Sequence, residues 1–89
     1  MPIGRGTPQA PQSQMTLVDQ LILDRRIKSI GPEIVGKLNR TDVDKFFTAC
    51  LADAQDSTIY VGDVATKLHA NMTTAQAVAR QMDATQAGM

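Results

Sequence analysis

The residues best suited to chemistry are few and far apart in this chain. His69 is its one histidine and Cys50 its one cysteine. A structural zinc ion asks for four His, Cys or carboxylate ligands at close spacing, and neither residue has such companions beside it. Cys50 stands in "FFTACLADA" among apolar neighbours at helical spacing, the setting of an inert core thiol rather than a nucleophile. His69 reads as a turn residue bonded locally. Asp53 and Asp56 are too few for a calcium loop. The sequence holds no GxGxxG, P-loop or paired-acid arrangement. No catalytic residue, metal or cofactor is assigned, and the chain reads as non-enzymatic.

What remains is the chemistry of charge and of helix faces. Lys plus Arg and Asp plus Glu number nine each, so the net charge is zero. That balance removes the simple argument for a nucleic-acid partner, which rests on a basic surface. The signs are unevenly spread, however. Arg25, Arg26, Lys28, Lys37, Arg40 and Lys45 lie within residues 25–45, against Glu33, Asp42 and Asp44. These six cations are the candidates for phosphate or acidic-partner contacts. Within "DRR", 24–26, and its neighbourhood, Asp24 also stands four residues before Lys28, the spacing of a local helical ion pair.

The elements that must position these residues follow from composition and periodicity. Eighty-nine residues, 43% of them apolar, make one small domain. Phe46, Phe47 and Tyr60 are the only aromatics, so the core must be aliphatic. A chain of this length buries a modest share of its surface, which makes a partner or homo-oligomer plausible. A single cysteine excludes an internal disulfide. No run is apolar enough to span a membrane, no signal-peptide core is present, and a cytoplasmic setting is expected.

Residues 1–15, "MPIGRGTPQAPQSQM", have too little apolar content to repay ordering and read as a flexible N-terminal arm. The arm contains Arg5 and a formal PxxP at Pro8 and Pro11. Residues 16–89 read as the single helical domain. Thr16 caps a helix over 17–30, whose Leu17, Val18, Leu21, Ile22, Ile27 and Ile30 recur at helical spacing. Gly31-Pro32 ends it, and Pro32 opens a short helix, 32–39. Thr41 is the expected N-cap of a helix over 42–54, with Val43, Phe46, Phe47, Cys50, Leu51 and Ala54 on one face. "TIYV", 58–61, has the β-branched and aromatic character of a short extended piece.

The stretch "VGDVATKLHANMTTAQAVARQM", 61–82, reads as helix, turn, helix. "HANM", 69–72, supplies the turn, Thr73 the second N-cap, and Ala65 the small residue that a helix crossing needs. Residues 43–89 thereby resemble the winged helix-turn-helix transcription regulators. "VDKFFTACLADAQ" stands as the supporting helix, "TIYVGDVATKLH" as a strand entering the second helix, and "TTAQAVARQMDATQAGM" as the recognition helix. The chain stops at Met89, before the two wing strands of that family.

The elements together make an all-α bundle of four to five short helices containing a helix-turn-helix-like pair, with one short β segment. The resemblance implies double-stranded DNA as partner and transcription regulation as role. Thr73, Thr74, Gln76, Ala77, Arg80 and Gln81 would face base edges or phosphates, and Arg25, Arg26, Lys28, Lys37, Arg40 and Lys45 would hold the backbone. The alternative is a structural or assembly adaptor, as in a virion or secretion apparatus, binding protein through its helix faces.

Overall fold

The computed structural model describes residues 15–59 and 61–88, so the arm expected at 1–15 lies outside the described residues except for Met15. Four helices follow in order: α1, Leu17–Asp24; α2, Pro32–Val35; α3, Arg40–Ala54; and α4, Gly62–Ala87. The fold is all-α, as the periodicity predicts, with no strand among the described residues. Helix α4 packs along α3, α1 leans on α3, and α2 on α4.

Thr16 caps α1 as expected. Its hydroxyl accepts from the Asp19 amide at 3.3 Å and donates to Asp19 Oδ2 at 2.9 Å. The helix stops at Asp24, however, six residues short of Ile30. The cause is remote in sequence. Asn71, on α4, takes over two backbone groups that a longer α1 would pair internally, and the Lys28 carbonyl besides. Helix α2 begins at Pro32, where the missing N–H costs nothing, and ends at Val35 rather than at residue 39. The cap of α3 is Asn39, whose side-chain oxygen accepts from the Asp42 amide at 2.8 Å. Thr41, the expected cap, is exposed inside the first turn.

The largest departure is α4. "HANM" is helical, and the expected helix-turn-helix is one rod of 26 residues, about 39 Å long at a rise of ~1.5 Å per residue. Between Gly62 and Gly88 the sequence has neither glycine nor proline, so nothing local breaks it. Ala75 and Ala79 lie beside Val43 and Phe47 of α3 instead of against a second helix of a pair. In place of the extended piece at 58–61, residues 57–59 form a turn, with the Thr58 amide and hydroxyl both donating to Asp56 Oδ1 at 2.9 and 2.7 Å. Tyr60 lies outside the described residues. Gly62 then enters α4 at φ +49°, a left-handed conformation that costs an L side chain energy and glycine almost none.

The core holds Val18, Leu21, Ile30, Val35, Leu38, Val43, Phe46, Cys50, Leu68, Ala75 and Val78. Phe47, Val64, Met72 and Met82 pack against it from its margin. Leu51, which belongs to the α3 stripe by spacing, is only partly buried and stands outside this cluster.

Candidate interaction surfaces

At about 100° per residue, the inner face of α4 carries Val64, Leu68, Asn71, Ala75, Val78 and Met82. Thr73, Ala77 and Arg80 fall on the opposite side, Gln76 and Gln81 on its two flanks, all five exposed, and Thr74 is half-buried. The expected recognition residues therefore share a surface. They lie along the middle of a continuous rod, not on a short helix set off by a turn.

Of the expected phosphate-binding cations, Arg40 shares a cleft with Gln76 and Arg80 of that face, but the carboxylates of Asp44 and Asp83 line the same cleft. Arg25 and Arg26 both turn inward onto Asp53, with Nε atoms 2.8 and 2.6 Å from Asp53 Oδ2. Arg26 donates a second bond to Asp53 Oδ1 at 3.3 Å. The Arg25 Nε–H is not aimed along its contact, so that pairing is Coulombic, while its Nη1 donates to the Ile22 carbonyl at 2.6 Å. Asp53 is 6% exposed. Hydrogen bonding from Arg26, with Arg25 beside it, holds its carboxyl below the usual range against the opposing effect of burial.

The same pattern recurs at the surface. Arg40 bonds Asp83 Oδ1 at 2.9 Å and also pairs with Asp44, tying the start of α3 to the end of α4. The bond from Arg40 lowers the Asp83 pKa. Lys28 pairs with Asp24 at 3.4 Å, the local contact their spacing predicts, and Lys45 lies 4.0 Å from Asp42. Of the eight cations among residues 16–88, five pair with a carboxylate within 4.0 Å, and Lys37, Lys67 and Arg80 have none among the described residues.

Asn71 is the polar residue that sequence reading missed. It is fully buried, its Oδ1 accepts from the Ile30 amide at 2.7 Å, and its Nδ2 donates to the Arg25 and Lys28 carbonyls at 2.9 and 3.1 Å. Its signal was an Asn at i+3 from Leu68 and i−4 from Ala75, on an apolar face; treating "HANM" as a turn concealed it.

Cys50 is buried, and loss of solvent pushes its thiol up to about 11, which suits a packing residue and not a nucleophile. His69 is exposed on α4, and no group of three potential metal ligands occurs among the described residues. No helix among them is long and apolar enough to cross a membrane.

A further feature is an open groove of about 630 Å³ between α2 and the last turns of α4. Pro32, Gly36, Val78 and Met82 form its apolar part, and Gln81, Thr85 and Gln86 its rim. Among the described residues, no charged one lines it. Ile34, 40% exposed, stands on α2 next to this groove's Pro32. Comparison with protein-family models, with curated proteins and with solved structures finds no match to this chain.

Proposed function

We propose that this chain is a non-enzymatic protein-binding module, an adaptor that holds an uncharged, amphipathic segment of a partner protein in the α2–α4 groove. The observation that carries this reading is the lining of that groove. Val78, Met82 and Pro32 offer apolar contact, Gln81, Thr85 and Gln86 offer amides and a hydroxyl, and no charge among the described residues favours an ionic ligand. Methionine beside a groove adapts to the shape of what it binds. A partner helix laying apolar side chains between α2 and α4, with polar groups on the rim, matches this chemistry.

Nucleic-acid binding draws less support. Affinity for a duplex comes mainly from cations that neutralise phosphates. Here four of the six cations expected to do so are held within hydrogen-bonding or ion-pairing distance, 3.4 Å or less, of internal carboxylates. Lys37, Lys67 and Arg80 are a small electrostatic footprint.

The experiment is selection of random twelve-residue peptides on the full chain. Enriched peptides should be poor in charge, and Gln81→Glu/Thr85→Glu on the rim should weaken them at least tenfold. Gln76→Glu, on the outer face of α4, should leave them unchanged. Failure to enrich, or enrichment insensitive to the rim, contradicts the reading.

A further inference from the structure

We propose that residues 25–30 form a helix–loop switch, with Asn71 as the latch that keeps them out of α1. Nothing local stops a helix there: Leu23, Ile27 and Ile30 recur at helical spacing, and no glycine or proline intervenes between Leu17 and Ile30. A helical turn has in fact begun, because the Ile27 and Lys28 amides donate to the Asp24 carbonyl at 2.9 and 3.1 Å. Beyond Lys28 the backbone turns to Asn71 instead.

The bonds exchanged between the two forms can be named. In the latched form Ile30 N–H goes to Asn71 Oδ1, and the Arg25 and Lys28 carbonyls go to Asn71 Nδ2. In a helix extended through Ile30, the Ile30 N–H returns to the Arg26 carbonyl and the Arg25 carbonyl accepts from Ser29. Lys28 alone finds no helical partner for its carbonyl, since Pro32 has no N–H. One buried amide thus stands in for two ordinary helical bonds and for a third that the sequence forbids.

The two forms differ in what they show to solvent. Latched, Ile30 is 3% exposed in the core, while Leu23 and Ile27 are 59% and 68% exposed. Extended, Leu23, Ile27 and Ile30 fall at i, i+4 and i+7 on one face, opposite Val18 and Leu21. The switch therefore withdraws or completes a three-residue apolar stripe. Burial of Ile30 favours the latched form in the free chain. The pairing of Arg25 and Arg26 with Asp53 anchors the start of the segment beside it.

The test uses ¹³Cα chemical shifts of the full chain. Asn71→Ala should move residues 26–30 toward the helical values of residues 18–23. Shifts that stay native, or that fall to random-coil values, overturn the proposal. If Asn71→Ala does not fold, the same shifts are read in Ser29→Ala/Gly31→Ala with Asn71 intact. Ser29 is exposed, and a Cβ at Gly31 meets only the flexible end of Glu33, so this variant folds. Both changes raise helix propensity, and a shift of 26–30 in the helical direction is expected. No movement there overturns the switch.

Discussion

Asn71 Oδ1 accepts a hydrogen bond from the Ile30 amide at 2.7 Å, joining the middle of the longest helix to a loop 41 residues earlier. The same side chain holds the Arg25 and Lys28 carbonyls, so a single amide meets three backbone groups away from water. Removing one partner of a buried hydrogen bond leaves the other unsatisfied, which costs more than the bond itself contributes. Asn71→Ala is expected to lower stability by about 2–3 kcal/mol, part of the loss being recovered if the segment becomes helical. Urea denaturation checks this, and a change below about half a kcal/mol would mean that these contacts are dispensable.

Leu68, fully buried one turn before Asn71, packs in the core with Phe46, Cys50 and Val78. Leu68→Ala should cost about 2–4 kcal/mol through lost transfer energy and the cavity left behind. Leu51→Ala, at the margin of the core, should cost clearly less. Equal losses from the two would contradict the placement of α4 against α3.

Asp53 gives the fold a dependence on acid. Its folded pKa lies below the unfolded value of about 3.9. Its contribution is therefore complete above that value and is lost as pH falls through the folded pKa. Stability from this site should be flat between about pH 5 and 8 and decline below about pH 4. Asp56 and Asp83, whose pKa values are also lowered, titrate in the same range. Asp53→Asn isolates the buried site. It should be less stable at pH 7, with Arg25 left half-buried and unpaired, and should lose less on going to pH 3. Parallel urea midpoints for the two proteins across that range would contradict it.

Gly62 starts α4 at φ +49° with open space where a Cβ would stand. Gly62→Ala should destabilise the chain by about 1 kcal/mol, from backbone strain and not from a clash. Thermal denaturation measures it. A stabilised Gly62→Ala protein would show that the backbone readily adopts another conformation there.

Local rules made much of this fold legible and long-range polar contacts hid the rest. The stripe Val43, Phe46, Phe47, Cys50 located α3, and Gly31-Pro32 located the break before α2, because spacing and proline chemistry act on neighbours. The cap at Asn39 instead of Thr41 was a choice between two good cappers separated by Arg40, decided by which oxygen reaches the Asp42 amide. The end of α1 depended on Asn71, far away in sequence. "HANM" looked like a turn because Asn disfavours helix interiors, and here the core contact overrides that preference. Arg25 and Arg26 looked available to phosphate because nothing nearby in sequence announces Asp53, 27 residues beyond Arg26.

The choice between a protein partner and DNA rests on a surface whose cations are largely spoken for. Fluorescence anisotropy of a labelled mixed-sequence duplex, titrated with the full chain at low salt, measures this directly. The expected result is a flat signal, with no change on Arg80→Ala. Saturable binding that falls steeply as salt rises, and that weakens in Arg80→Ala, would contradict the protein-binding account and restore DNA as the partner.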